Sequence, residues 1–291
     1  MMPVLPPGLS LKRISVKGRS TRYADLGDGA PLVLLHGIVR SLEDWGQVIE
    51  PLSKQYRVLA PDLAGFGFSE GLPSYNLEAL AEHVWDFLDA LGVSGPVRLV
   101  GNSLGGAVTM KAAVQDPDRV ERVVLVNSAG FGKSVTVAIR ALAIPVIGGK
   151  VIKPLLLRPN MRMARAVESS LYRDQRIVTR ERVNLGYDLL GQEQAMRASV
   201  ESGVALGSFF GAAEGWRREL LDGYRPLSHP TLVLWGSHDK ILPASHLPNA
   251  RRELPAARFH LFQRVGHMPM TEVPEQFLAV VGPFLAENAD A

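Results

Sequence analysis

The stretch "VRLVGNSLG" (residues 97–105) places one serine between two glycines at the point where an apolar run ends. The residues before the serine predict a strand and those after it predict a helix, so Ser103 lies on the turn between them. A sharp strand-to-helix turn crowds the positions two before and two after the serine, and Gly101 and Gly105 fit there because they lack a Cβ. The pattern predicts a nucleophile elbow, which presents a serine hydroxyl beside the N-terminus of a helix.

Short apolar runs rich in valine and leucine recur along the chain. Their hydrophobicity is continuous rather than alternating, which indicates strands that are buried on both faces. Between several of them lie stretches with helical spacing, notably residues 76–92, 104–116 and 274–287. Strands and helices that alternate at this interval predict an α/β protein with a mostly parallel sheet and helices on both faces. The runs are residues 31–37, 56–62, 96–102, 121–127, 231–236 and 257–263.

Two regions depart from this alternation. Residues 11–16 and 20–27 predict a leading antiparallel hairpin, which completes an eight-stranded sheet. Between residues 131 and 225 the chain has helical patterns and no convincing strand, so we predict a helical cap inserted after the sixth strand. The predicted domains are a core of residues 1–130 and 226–291 and a cap, or lid, of residues 131–225.

The bulk composition is that of an ordinary globular protein and excludes several classes of function. Of 291 residues, 46% are hydrophobic and 21% are charged, which is enough apolar material for a sizeable core. A net charge of +3 gives no reason to expect a nucleic-acid partner. The lack of cysteine excludes disulfides, thiolate metal sites and cysteine nucleophiles. We expect a cytoplasmic protein without a transmembrane segment, since neither a secretory signal nor a long apolar run is evident.

The predicted cap has the most unusual composition in the chain. It carries 15 lysines and arginines against 9 acidic residues, and residues 131–165 have seven basic residues and no acid. A basic and apolar lid could make peripheral contact with an anionic lipid surface. The alternative is that these are ordinary helix positions that face the core, with solvated arginines beside them.

An unassisted serine hydroxyl is a poor nucleophile, so it requires a base and a carboxylate that orients the base. Of the seven histidines, His267 in "QRVGHMPM" follows the last predicted strand, at the carboxyl edge where such sheets bind their ligands. Asp239 follows the preceding strand at the same edge. The chain order Ser103, Asp239, His267 therefore predicts a catalytic triad. Asp62 competes for the role of the acid, but it begins a glycine-rich loop, which favours a turn-forming role.

Two backbone N–H groups are candidates for an oxyanion hole. Leu104 can donate from the start of the helix, and Ile38 can donate from the loop that follows the run at residues 31–37. Gly37 lets that loop approach the serine closely. His36 is expected to make structural hydrogen bonds there. This machinery needs neither a metal nor an organic cofactor.

These residues resemble the α/β-hydrolase superfamily, specifically its cap-bearing members. The resemblance is carried by "LLHG", "APDLAGFGFSEG", "VGNSLGGAV", "LVLWGSHDKILP" and "RVGHMPMTEVPEQF", in the family's order and at familiar separations. It implies that Ser103, Asp239 and His267 form the triad. It also implies that Ile38 and Leu104 line the oxyanion hole. A serine rather than an aspartate at the elbow argues against the epoxide hydrolases and haloalkane dehalogenases of the family.

Several reactions fit this resemblance. The first is cofactor-free hydrolysis of a small-molecule carboxylic ester of a moderately hydrophobic acid, as in esterases and lipases. The second is C–C bond hydrolysis of meta-cleavage products: "GNSLGG" is similar to the elbow common in those enzymes, whereas Met268 stands where they usually have tryptophan. The third is a cofactor-free haloperoxidase or perhydrolase, which requires a tryptophan near the triad. A ligand-binding protein of the same fold is the non-enzymatic alternative. Substrate contacts are expected from the cap, with Met268 as a further candidate.

Overall fold

The computed structural model describes residues 4–136, 160–208 and 211–287 of the chain. Its strands are β1 (Leu11–Val16), β2 (Arg19–Leu26), β3 (Ala30–Leu35), β4 (Tyr56–Pro61), β5 (Val97–Asn102), β6 (Val120–Val126), β7 (Gly207–Ser208), β8 (Gly211–Ala212), β9 (Thr231–Gly236) and β10 (Arg258–Phe262). The α-helices are α1 (Gly46–Ser53), α2 (Leu77–Ala90), α3 (Leu104–Gln115), α4 (Met161–Leu171), α5 (Arg180–Leu190), α6 (Glu193–Leu206), α7 (Glu214–Tyr224), α8 (Leu247–Glu253), α9 (Pro269–Glu272) and α10 (Pro274–Ala286).

The eight longer strands form one sheet in the order β1-β2-β4-β3-β5-β6-β9-β10. Strands β1 and β2 are an antiparallel hairpin, and β2 is also antiparallel to β4. Every neighbouring pair from β4 to β10 is parallel. The prediction of a mostly parallel eight-stranded sheet with a leading hairpin is therefore confirmed.

Helices cover both faces of the sheet, which explains the continuous hydrophobicity of its strands. In β3, Val33 and Leu35 belong to the apolar cluster formed with α2 and α3, whereas Leu32 and Leu34 belong to the cluster formed with α1 and α10. None of these four side chains has any exposed surface. Because successive residues of a strand point to opposite faces, a strand between two helical layers is apolar throughout.

Helices α4 to α7 lie in the described part of the predicted cap, between β6 and β9. The segment is not wholly helical, because β7 and β8 form a two-residue antiparallel pair. Strands this short contain too few residues to show an alternating pattern in the sequence. Residues 137–159 lie outside the described residues. They include most of the basic and apolar stretch from which the lipid contact is predicted. The division into core and cap stays a prediction. Within the described ranges, no helix has both the length and the apolarity that crossing a bilayer requires.

Candidate active site

Ser103 lies in a strained turn between β5 and α3. Its φ of 56° and ψ of −117° fall outside the regions that residues with a Cβ normally adopt. A Cβ on Gly101 would lie 2.2 Å from the Gly105 carbonyl oxygen, and a Cβ on Gly105 would lie 2.3 Å from the Leu35 carbonyl oxygen. Both distances are far below van der Waals contact. The turn therefore requires glycine at the two positions that the sequence pattern singles out.

His267 and Asp239 form a buried hydrogen-bonded pair. Nδ1 of His267 lies 2.7 Å from Oδ2 of Asp239, and the two residues are 3% and 7% exposed. An ionised carboxylate only accepts hydrogen bonds, so Nδ1 carries the ring proton and Nε2 is the basic nitrogen. This is the tautomer that a general base needs in order to take a proton from a neighbouring hydroxyl.

Three further donors fix the carboxylate of Asp239. The side-chain amide of Asn127 donates to Oδ2 at 2.6 Å. The backbone N–H groups of Ile241 and Leu242 donate to Oδ1 at 2.7 Å and 3.0 Å. Together with His267, these donors engage both oxygens and hold the carboxylate in one orientation. Asn127 is uncharged, so it cannot replace the acid, but its amide holds the acid in place.

Four adjacent parallel strands explain why residues far apart in the chain converge here. Ser103, Asn127, Asp239 and His267 each lie just beyond the carboxyl end of β5, β6, β9 or β10. The carboxyl ends of parallel strands meet at the same edge of the sheet. The Asn102 side-chain amide joins two of these loops directly, because it donates to the His267 carbonyl oxygen at 3.2 Å. The residue before the serine is thereby tied to the histidine.

Ile38 and Leu104, the two predicted oxyanion-hole residues, line the same cavity as Ser103. Leu104 is the first residue of α3, where backbone N–H groups have no acceptor within the helix. A Cβ on Gly37 would lie 3.1 Å from Ser103 Cβ, so glycine lets the loop after β3 approach the serine. The arrangement could place two backbone donors beside a negative charge that develops near the hydroxyl.

His36 and Asp62 support the loops around this cavity. Nδ1 of His36 donates to the Gly37 carbonyl oxygen at 2.8 Å, and Nε2 accepts from the Leu63 N–H at 2.9 Å. Burial lowers the pKa of His36, which keeps the ring neutral, as these two roles require. Asp62 has no exposed surface; it accepts hydrogen bonds from two backbone N–H groups of neighbouring loops and from Arg22. The bond from Phe68 lies within the glycine-rich loop that Asp62 begins, whereas the bonds from Leu42 and Arg22 join this loop to other segments.

The cavity beside Ser103 is apolar. Its described lining residues include no charged side chain, and their hydroxyl groups belong to Ser103 and Ser202. Trp216 of α7 forms part of the wall, and its Nε1–H donates to the Leu206 carbonyl oxygen. Among the described residues, Trp216 is thus the tryptophan that lines this cavity. The sequence alone could not assign a tryptophan to this position. The apolar lining also includes Ile38, Leu104, Ala129, Val135, Leu206 and Leu242.

Met268, the further candidate for substrate contact, follows His267 in the chain, but its side chain packs on the other face of the sheet. Its side chain has no exposed surface and packs in the apolar cluster formed with α1 and α10. It is absent from the described lining of the cavity, whose apolar residues pack with the opposite cluster. The chain neighbour of His267 therefore faces the core rather than the cavity.

The chain belongs to the alpha/beta hydrolase fold family, whose model matches residues 30–274. It is thus a hydrolase. The proteins that it is similar to include meta-cleavage product hydrolases and an esterase. It is 32% identical to the 2-hydroxymuconate semialdehyde hydrolase of Pseudomonas sp. strain CF600, over 96% of this chain and 95% of that protein. Among solved structures, the meta-cleavage product hydrolase CumD of Pseudomonas fluorescens IP01 is 26% identical with a TM-score of 0.75, over 95% of this chain and 97% of the other. The esterase RhEst1 of Rhodococcus sp. ECU1013 is 28% identical with a TM-score of 0.73, over 96% and 99%.

Proposed function

We propose that this hydrolase cleaves carboxylic esters of moderately hydrophobic acids through an acyl-enzyme on Ser103. The observation that carries the proposal is the buried hydrogen bond between His267 and Asp239, at the sheet edge where the elbow serine lies. A serine, an imidazole with a defined tautomer and an orienting carboxylate are the parts that acyl transfer by a nucleophilic hydroxyl needs.

Acylation begins when Oγ of Ser103 attacks the ester carbonyl carbon and Nε2 of His267 takes the hydroxyl proton. The carbonyl electron pair moves onto its oxygen, and the N–H groups of Ile38 and Leu104 donate hydrogen bonds to this oxyanion. Asp239 stabilises the positive charge on the imidazole. The tetrahedral intermediate collapses and expels the alcohol, which takes the proton from Nε2.

Deacylation repeats these steps with water as the nucleophile. His267 takes a proton from the water as its oxygen attacks the acyl carbon, and a second oxyanion forms at the same two donors. Collapse releases the acid and returns the proton to Ser103. The apolar lining of the cavity favours an apolar acyl chain, because burial of such a chain removes apolar surface from water.

The likeness to a 2-hydroxymuconate semialdehyde hydrolase favours C–C bond hydrolysis as a second candidate. The substrate that this name denotes carries a carboxylate group. The described lining of the cavity offers no charged side chain to bind a carboxylate. An ester of an apolar acid matches that lining better, so ester hydrolysis is the first candidate.

The proposal is tested with a fluorophosphonate probe, which labels only an activated serine, and with two substrates. We expect labelling of the wild type and hydrolysis of p-nitrophenyl butyrate, with slower decay of a coloured dienoate. Ser103→Ala abolishes labelling and lowers kcat about 10⁴- to 10⁶-fold. Ser199→Ala is the matched control, since Ser199 is a buried serine of α6 outside the described cavity lining, and it keeps the wild-type rates.

Each other outcome of this test points to a different class of protein. Faster turnover of the dienoate would favour the C–C hydrolase. Labelling of Ser103 with neither substrate turned over would contradict the ester proposal but not the nucleophile. Absence of labelling would favour a ligand-binding protein. The cytoplasmic location and the lipid contact of the cap stay predictions.

A further inference from the structure

We propose that Glu168 is a positioning residue for the reaction, which acts through Arg40 on the loop that carries Ile38. The inference rests on the function proposed above, in which Ile38 is an oxyanion donor. Glu168 lies on α4 of the predicted cap, whereas Arg40 follows β3 in the core. Nη1 of Arg40 donates a hydrogen bond to Oε1 of Glu168, so the two side chains pair across this boundary.

The pair belongs to a cluster of four buried charges. Arg40, Asp44, Glu168 and Arg182 are 5%, 1%, 1% and 6% exposed. Arg40 donates to Asp44 through Nε and Nη2, at 3.0 Å and 2.6 Å, and Arg182 donates to the Tyr172 hydroxyl at 3.3 Å. Arg40 thus bridges two buried carboxylates, and loss of Glu168 leaves its guanidinium with Asp44 alone. The cluster therefore holds the Arg40 guanidinium in one place.

The loop after β3 needs such an anchor between its ends. His36 and Leu42 fix the ends by hydrogen bonds within the core. Between them, Val39 has a φ of 56°, in the left-handed region that a β-branched residue rarely adopts. A conformation of this kind persists only where the surrounding contacts impose it. Arg40 is the next residue in the chain, and its buried ion pairs supply that constraint beside Ile38.

The same end of α4 also contacts the proposed base. The backbone N–H of His267 donates to the Leu171 carbonyl oxygen at 2.7 Å. Leu171 lies three residues after Glu168, so the two lie near each other on the helix surface. One end of α4 thus contacts the loop that carries Ile38 and the loop that carries His267. A substitution of Glu168 releases the first contact and leaves the second, backbone-mediated contact in place.

Three variants test the proposal: Glu168→Ala, Glu168→Gln and the matched control Glu121→Ala. Glu121 pairs with Arg98 at 2.5 Å near the amino ends of β5 and β6, at the sheet edge opposite Ser103. The measurements are kcat and KM for p-nitrophenyl butyrate and the second-order rate constant of fluorophosphonate labelling. All are made well below the Tm of each variant, so that global unfolding does not contribute.

We expect Glu168→Ala to lower kcat roughly 10- to 100-fold, with KM within about threefold of wild type, because one oxyanion donor is misplaced. Labelling slows by a similar factor. Glu168→Gln keeps kcat within about threefold, since its amide oxygen still accepts from Arg40. Glu121→Ala lowers the Tm and leaves kcat unchanged.

An unchanged kcat in Glu168→Ala, with an active wild type, overturns the inference and leaves the ester proposal intact. An equal loss of kcat in Glu121→Ala overturns it too, because destabilisation alone then explains the effect. A wild type that is neither active nor labelled refutes the proposed function and the inference with it. If Glu168→Ala does not fold, Glu168→Asp replaces it; that variant keeps the charge on a shorter side chain, and we expect a roughly tenfold loss of kcat. Wild-type kcat in Glu168→Asp overturns the inference.

Discussion

The core sheet and helix α4 meet at the candidate active site, and they are held there by different kinds of contact. Strands β3, β5, β6 and β9 are fixed by a continuous parallel ladder and by apolar side chains on both faces. Besides its apolar contacts, α4 is fixed to the core by two hydrogen bonds, one that Arg40 donates to Glu168 and one that the His267 N–H donates to the Leu171 carbonyl oxygen. Apolar packing is spread over many atoms, whereas each directional bond depends on two. We therefore expect a single polar substitution at the cap boundary to remove one defined contact, whereas a substitution within the sheet disturbs packing over many atoms.

The largest effect is expected at the core side of the site, from Asp239→Asn. Four donors surround the carboxylate of Asp239, whereas an asparagine has one acceptor oxygen and would turn its NH₂ group toward a donor. His267 then loses its orienting partner and the counter-charge for the imidazolium. We expect kcat for p-nitrophenyl butyrate to fall about 10⁴-fold. Circular dichroism checks that the variant is folded.

Asn127→Ala is the control for that substitution, because it removes one of the four donors and keeps the carboxylate. We expect it to lower kcat about tenfold, which is typical of a residue that orients a catalytic group without contacting the substrate. A loss below about 100-fold in Asp239→Asn would contradict the role of Asp239 and would weaken the contrast between core and cap boundary.

The second-largest effect is expected on the stability of the core, with no change in activity. His83 of α2 is 6% exposed, and its Nε2 lies 3.0 Å from Thr21 Oγ1. Burial lowers the pKa of His83 to about 4 from an ordinary value of 6.5. The unfolded chain therefore binds this proton first as the pH falls. The stability that His83 contributes is fully present above about pH 6.5 and is lost between there and about pH 4, by at most about 3 kcal/mol.

Urea unfolding of the wild type and His83→Gln at pH 7.5 and pH 4.5 measures this loss. Other histidines titrate in both proteins, so the difference between the two isolates His83. The variant is expected to lose less stability than the wild type on acidification. An equal loss in the two proteins would show that burial of His83 has no linkage to folding. Activity at pH 7.5 should be the same in both.

The smallest effect is expected at the cap boundary, from Glu272→Gln. Oε1 of Glu272 accepts from the Asp174 N–H at 2.6 Å, and Oε2 accepts from the N–H groups of Gly266 and Arg173 at 2.8 Å and 3.2 Å. The carboxylate thus links the segment after α4 to the residue before His267. A glutamine has one acceptor oxygen for these three donors. We expect a loss of about 1 to 2 kcal/mol in stability and roughly tenfold in kcat.

Glu275→Gln is the matched control for this substitution, since Glu275 is an exposed acid one turn later in the chain. It should leave both urea unfolding and kcat at wild-type values. If Glu272→Gln lowers stability without any change in kcat, the link to His267 does not position the histidine. The directional bonds at the cap boundary would then serve folding alone.

Much of the fold is predictable because its determinants are local. The run at residues 231–236 coincides with β9, and Asn76 caps α2 through a hydrogen bond from the Ala79 N–H, as an asparagine before a helical pattern indicates. The elbow glycines follow from steric crowding within five residues of chain. β7 and β8 are not predictable, because two residues per strand carry no period.

The sequence by itself determined the strand order along the chain, the elbow at Ser103 and the candidates Asp239 and His267, since each of these depends on a periodicity or on a neighbour a few residues away. Only the tertiary structure decided that Asn127 holds Asp239, that Trp216 lines the cavity and that Glu168 meets Arg40, 128 residues earlier in the chain. The physical reason is that a hydrogen-bond partner is selected by distance in space. A local sequence pattern indicates what kind of contact a residue requires. The packing of the sheet and the helices determines which distant side chain provides that contact.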